Sequence, residues 1–131
     1  MAKLTSEMKA MFEKQLAVIV TAGRDGTPNV GPKGSMYVVD DETLSYSEST
    51  VGKTLRNLQE NSKVAVMVVD RDKADGYQVK GVAELLTSGD LFERMARRQE
   101  ERKRPRPHYV VKIDIEEIYS VRHGMTANRI A

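Results

Sequence analysis

The sequence predicts a mainly β fold, an antiparallel β-barrel with flanking helices. Three observations carry this. Six or seven short strands rich in Val and Ile recur along the chain, tight turns join most of them, and few helices intervene. Closing such strands into a barrel also hides apolar edges that would otherwise lie open.

Each element has its own signal. Met8, Met11 and Phe12 recur at helical spacing and predict a short helix over residues 6–15. Residues 16–22 (Leu-Ala-Val-Ile-Val-Thr-Ala) form a strand, and Gly23-Arg24-Asp25-Gly26 supplies a hairpin turn. Strands follow over 27–31 and 35–39, and Asp40-Asp41-Glu42 turns the chain into a strand over 43–46. Val51, Leu55 and Leu58 mark the apolar face of a helix over 51–60, stopped by Asn61. A buried strand over 63–70 and a polar loop lead to a strand over 77–86 that pairs back. The helix over 90–104 ends at Pro105 and Pro107. Tyr109, Val111, Ile113 and Ile115 then show the alternation of a half-buried strand, and a last strand covers 118–122. With no internal repeat and no linker, residues 1–131 read as one domain.

Composition narrows the chemistry. The 131 residues are 40% hydrophobic and 31% charged, which is ordinary for a globular domain, and the net charge of +2 does not by itself imply nucleic acid. No apolar run reaches the roughly 18 residues of a membrane span. No signal-peptide pattern opens the chain, so the expected location is cytoplasmic, with no membrane partner. There is no cysteine, which removes disulfides, thiol nucleophiles and cysteine-held zinc or iron–sulfur clusters. His108 and His123 are the two histidines, too few for a His-rich metal site. Redox work by this chain needs an organic cofactor.

The stretch Ser47-Glu48-Ser49-Thr50-Val51-Gly52-Lys53-Thr54 carries the most chemistry. It follows a strand and opens a helix, whose first turn presents unpaired N–H groups and a partial positive charge. Lys53 and the Thr54 hydroxyl add a cation and a donor, a set that suits phosphate. An ordinary capped surface helix uses the same residues, and both readings fit. A P-loop does not: it requires Gly five positions before Gly52, where Ser47 stands, and β-branched Thr50 and Val51 fill the loop.

Pro28-Asn29-Val30-Gly31-Pro32-Lys33-Gly34-Ser35 holds two prolines and two glycines where a strand is expected. An irregular barrel corner and a close approach of ligand to backbone both explain it. Between Arg94 and Arg106 lie seven basic residues against two acidic ones. Glu93 with Arg97 and Glu100 with Arg104 stand at i,i+4 in the favourable order, so a solvated helix face is preferred to a phosphate-binding stripe. No aromatic residues interleave there to stack on bases.

Taken in order, Asp25-Gly26-Thr27-Pro28-Asn29-Val30-Gly31-Pro32, Gly52-Lys53-Thr54-Leu55-Arg56-Asn57-Leu58 and Gly76-Tyr77-Gln78-Val79-Lys80-Gly81 resemble a known family. It is the pyridoxamine 5′-phosphate oxidase-related, FMN-binding split-barrel family, and the likeness is to its small bacterial FMN-binding proteins. The resemblance covers roughly residues 12–118. It implies a split barrel that forms a homodimer, with FMN in a groove between subunits. By the same comparison Lys53 and Thr54 hold the FMN phosphate, Ser47, Glu48 and Ser49 line the ribityl and phosphate path, and Gly31, Pro32 and Lys33 lie against the isoalloxazine ring. Arg122-His123-Gly124 would come from the partner subunit. Related barrels bind deazaflavin or haem instead of FMN.

One departure matters. The longer true oxidases carry an arginine-leucine-histidine-aspartate-arginine run that helps bind substrate, and it is absent here, so oxidation of vitamin B6 is not supported. No catalytic triad or acid–base pair is visible, and catalytic residues stay unassigned. The leading expectation is an FMN-dependent oxidoreductase or electron carrier with an unknown redox partner. The alternatives are a non-catalytic flavin-binding or storage protein and, from another class, a nucleic-acid-binding barrel using the basic helix.

Overall fold

A computed structural model describes residues 2–122 and 128–131. Helix α1 (Ser6–Lys14) is followed by β1 (Ala17–Ala22), β2 (Pro28–Lys33), β3 (Tyr37–Asp40) and β4 (Thr43–Glu48). Then come α2 (Lys53–Glu60), β5 (Lys63–Asp70), β6 (Asp75–Leu86), α3 (Asp90–Glu101), β7 (Tyr109–Ser120) and the short β8 (Asn128–Arg129). All strand pairs are antiparallel, in the order β2-β1-β5-β6-β7-β4-β3, with β8 on β7. The mainly β antiparallel fold is the one expected.

The expected alternation fails at one place, and the failure is informative. Residues 109–115 and 118–122 were expected as separate strands, yet β7 runs unbroken from Tyr109 to Ser120. Lys80 pairs with Glu117 while Gly81 pairs with Ile115, so Glu116 is an extra residue. This β-bulge shifts the alternation by one position. Val111, Ile113 and Ile115 point inward before it, and Ile118 points inward after it. A periodicity broken in phase reads from sequence as a strand end.

The barrel interior is filled by β-branched and leucine side chains. Ile19, Leu44, Val66, Val79, Val111, Ile113 and Ile118 are all at 0% exposure, and α1 adds Met8 and Phe12 across β3 and β5. A second apolar cluster lies on the other face of β7 and β4. There α3 buries Phe92, Met95 and Ala96 against Val110, with Tyr37 and Leu86 at its rim. The spacing of the buried α3 residues is that of one helix face.

The two ends of the strand order, β2 and β3, do not pair among the described residues, so the barrel is split there. Side chains span the gap. Lys33 at the end of β2 reaches Glu48 on β4. Ser35, in the β2–β3 connection, donates its hydroxyl to the Ser47 carbonyl at 3.2 Å and accepts from the Ser47 N–H at 3.1 Å.

One outer face of the sheet is apolar. Val18 pairs with Pro32 and Met67, and Val20 with Val30 and Ala65. Val30, Met67 and Val69 are exposed, as is Leu16 just before β1. Rows of this kind on adjacent strands make a continuous patch rather than scattered residues.

Gly76 and Gly81 are required by close backbone approach. A Cβ on Gly81 would lie 2.3 Å from the Asp114 carbonyl oxygen, and one on Gly76 would lie 2.5 Å from that of Val68. Neither neighbour is a flexible side-chain tip. We expect Gly81→Ala to destabilise the fold by about 3 kcal/mol, the upper range for overpacking, measured by urea unfolding. An unchanged midpoint would show that the bulge tolerates a side chain.

Candidate functional site

The site is built where β2, β4 and α2 meet at the split. Strand β4 is buried along its whole length, and its side chains alternate between two environments. Leu44 and Tyr46 face the barrel interior. Glu48 follows in phase with them, and Ser45 and Ser47 take the opposite side, where Ser47 pairs with Val110 under α3.

Glu48 is the most buried charge described, with a side chain 2% exposed. Such a group persists only if paired and hydrogen-bonded. Lys33 Nζ lies 3.2 Å from Oε1 and 3.4 Å from Oε2. The Thr50 N–H and hydroxyl donate to Oε2 at 3.3 and 3.1 Å. The same ammonium sits 5.1 Å from the centre of the Tyr46 ring, a cation–π distance. The Tyr46 hydroxyl is buried and without a hydrogen-bond partner among the described residues. Burial first, and the Glu48 charge second, push its phenol far above the usual range, so it stays protonated.

Helix α2 begins at Lys53, with Gly52 as its N-cap and no side-chain cap. The capped-helix alternative is therefore corrected: a glycine N-cap leaves the first-turn N–H groups without a side-chain acceptor. Lys53 is exposed, and the Thr54 hydroxyl accepts from Asn29 Nδ2 at 3.2 Å. Gly31 lies beside it, since a Cβ there would be 3.9 Å from Thr54 Oγ1. The helix is held in place by its far end. Asn57, buried at 1%, donates to Thr21 Oγ1 at 3.1 Å, and Glu60 accepts from the Arg24 N–H at 2.9 Å. A Cβ at Gly23 would lie 2.8 Å from Glu60 Oε1 and 3.0 Å from Asn57 Oδ1.

The eight residues singled out from sequence thus fall into groups. Gly31, Thr54 and Lys53 lie together at the α2 N-terminus, and Lys33 and Glu48 form one ion pair. Pro32 is exposed on the outer face with Met67, opposite to Gly31 and Lys33. The Ser47 and Ser49 hydroxyls are buried without partners among the described residues. Of the C-terminal run, Arg122 is exposed, while His123 and Gly124 lie outside the described residues. Sequence reasoning missed Asn29, Asn57 and Tyr46 as site-building residues. Asn57 had a signal, a buried-face position on α2 occupied by an amide.

The basic helix is less simply solvated than its sequence suggests. The ion pair found is Glu93 with Arg106, at 3.0 Å, rather than Glu93 with Arg97. Arg94 donates to the Tyr37 hydroxyl at 2.9 Å, Arg98 stacks 4.8 Å from the same ring, and Arg106 lies over Phe92. No group of acids and histidines among the described residues could hold a metal ion. No helix among them is long and apolar enough to cross a membrane.

An antiparallel barrel split between β2 and β3, with an uncapped helix start at the opening, defines a split-barrel protein. A model of the pyridoxamine 5′-phosphate oxidase family matches residues 4–122, and the chain belongs to that family. It is 34% identical to an uncharacterized protein of Methanocaldococcus jannaschii, over 98% of this chain and 87% of that one. The crystal structure of HupZ from group A Streptococcus superposes with a TM-score of 0.88 at 37% identity, over 95% of this chain and 99% of that one. An FMN-binding protein from Syntrophomonas wolfei shares the fold at a TM-score of 0.76 and 23% identity, covering 87% and 83%.

The Lys33–Glu48 pair makes a direct prediction. Lys33→Met leaves a buried carboxylate with Thr50 alone and should cost about 3 kcal/mol, whereas Lys33→Met with Glu48→Leu should recover most of it. Chemical denaturation of the three proteins measures this. Equal losses in the single and double variants would show that the pair is not coupled.

Proposed function

We propose that this protein is an FMN-binding flavoprotein that works as a homodimer, as an oxidoreductase or electron carrier. One observation carries the reading: the α2 N-terminus is uncapped, with Lys53 free on the surface and Thr54 held beside Asn29 and Gly31. The donor set fits a phosphate monoester. Backbone N–H groups, an ammonium and a hydroxyl all belong to the first turn of α2, and a Cβ at Gly52 would meet no atom within 4 Å, so the approach is open. Membership of the family supports the flavin, and the missing substrate-binding run argues against vitamin B6 as the substrate.

When bound, FMN supplies the capacity to accept and return electrons or hydride. The chain's own contribution is binding and orientation. Lys53 and Thr54 hold the phosphate, and Ser47, Glu48 and Ser49 border the path that leads from it. Gly31 and Lys33 offer the ring a surface on one face of β2, with Pro32 between them contributing backbone alone, and the lack of a side chain at Gly31 leaves room next to Thr54. Lys33, neutralised by Glu48, holds that part of β2 fixed against β4.

The apolar outer face of β2, β1 and β5 supports the homodimer. A second copy seated on Val30, Pro32, Val18 and Met67 would cover it and bring a partner surface to the edge of the flavin groove. Sedimentation at micromolar concentration should report about twice the 14.7 kDa chain mass. Val30→Lys should shift it toward monomer. A monomer that still binds FMN tightly would overturn the shared groove.

The flavin reading is tested by Lys53→Ala. Loss of a charge-assisted hydrogen bond worth about 1.5–3 kcal/mol should weaken FMN roughly 10- to 150-fold. Riboflavin, which lacks the phosphate, should bind the variant as it binds the parent protein. Equal losses for both would assign Lys53 a structural role, and absence of any flavin spectrum in protein mixed with FMN would remove the reading itself.

A further inference from the structure

A cleft of about 390 Å³ opens between α1 and the β5–β6 hairpin, and it shares no residue with the proposed flavin groove. One wall is a stripe of α1, where Glu7, Met11 and Lys14 stand at i, i+4 and i+7 and so share a helix face. The opposite wall is Asp70, Lys73, Asp75 and Tyr77. None of the five charged side chains forms an ion pair with a described residue. Seven residues of helix set Glu7 and Lys14 about 10 Å apart along the axis, so the stripe has an acid at one end and a cation at the other.

Part of this arrangement has an ordinary structural use. Glu7 stands in the first turn of α1, where a carboxylate is favourable. Asp70 Oδ1 accepts from the Asp72 and Lys73 N–H groups at 3.1 and 3.3 Å, and Asp75 Oδ1 accepts from the Gly76 N–H at 2.8 Å. Each of these two carboxylates keeps its second oxygen without a described partner. Tyr77 has no such use. Its ring belongs to the core and the residue is 8% exposed, yet its hydroxyl makes no hydrogen bond with a described residue and borders the cleft. A buried tyrosine normally finds a partner for its O–H. Burial first, then the charges of Asp75 and Glu7, hold the phenol above its usual range, with Arg122 acting the other way. Both carboxylates therefore lie close enough to act on the hydroxyl. A hydroxyl oxygen beside two carboxylates is complementary to an ammonium, which can donate to all three.

We propose that this cleft binds a small zwitterion. Its ammonium sits among Tyr77, Glu7 and Asp75, and its acidic group lies along α1 at Lys14. The Met11 side chain packs against the carbon chain between them. Opposite charges held apart on the walls of one cleft, instead of paired with each other, suit a ligand that carries both. A simple cation would leave Lys14 uncompensated, and a simple anion would face the carboxylates.

The test uses ε-aminocaproate as probe, with hexylamine and hexanoate as its single-charge counterparts, added to the full chain without FMN. Calorimetry should show saturable binding of ε-aminocaproate, about threefold weaker binding of hexylamine, and none of hexanoate. Amide NMR shifts should saturate at Glu7, Lys14, Asp75 and Tyr77. Tyr77→Phe keeps the packed ring and removes only the hydroxyl, and it should weaken ε-aminocaproate about tenfold. Glu7→Gln, on the exposed surface of α1, is the second variant and should weaken both amines. Lys14→Gln should bring ε-aminocaproate down to the level of hexylamine and leave hexylamine unchanged. The proposal is overturned if ε-aminocaproate does not saturate, if hexylamine or hexanoate binds as tightly, or if the shifts fall at the α2 N-terminus instead. Unaltered binding to Glu7→Gln or to folded Tyr77→Phe would overturn it as well.

Discussion

A buried charge pair at the split is the constraint on which the rest of this structure depends. Burying Glu48 is unfavourable on its own, and Lys33 and Thr50 are what make it tolerable. Because Lys33 ends β2 and Glu48 ends β4, their contact sets how far the barrel opens where hydrogen bonding stops. It also fixes the face of β2 that carries Asn29 and Gly31, and through Asn29 it registers that strand against the first turn of α2. Apolar packing gives the barrel its stability, while the ion pair decides where the barrel's opening lies.

Helix α2 is short, and its position comes from tertiary contacts rather than from length. Asn57 and Glu60 anchor one end to β1 and its following turn, leaving the other end with open N–H groups. The division suits a binding element: the C-terminal half is satisfied by protein, and the N-terminal half is available. Gly52 serves this arrangement better than serine would, since a capping hydroxyl would compete for the same donors.

Much of the fold was legible because hydrophobic periodicity reports burial directly. The strands of β1, β5 and β6 and the buried stripe of α3 follow from spacing alone. What was not legible involved phase or partner. The extra Glu116 reverses the alternation within β7, and nothing local in Ile115-Glu116-Glu117-Ile118 says that pairing continues through it. Pro32 and Lys33 extend β2 because it is an edge strand, paired on one side, where a missing N–H costs nothing. Within the site, Lys53 and Thr54 were readable from helix-start chemistry. The Lys33–Glu48 pair was not, since the partners are distant in sequence and each has an ordinary surface reading. The expected Glu93–Arg97 pairing gave way to a Glu93–Arg106 ion pair, whose partners become adjacent only in the folded chain.

Ser35 has a consequence for what the chain avoids. Its hydroxyl both gives and receives a hydrogen bond at the Ser47 backbone, completing in a single side chain what a neighbouring strand residue would do. The exposed margin of β4 is thereby already occupied at the point where β3 has not yet begun. A foreign extended segment arriving at that margin finds no free donor–acceptor pair on Ser47 to start a ladder. Ser35 thus works as a self-templating block, and a residue without a hydroxyl at this position would turn the same margin into a nucleus for strand exchange between molecules.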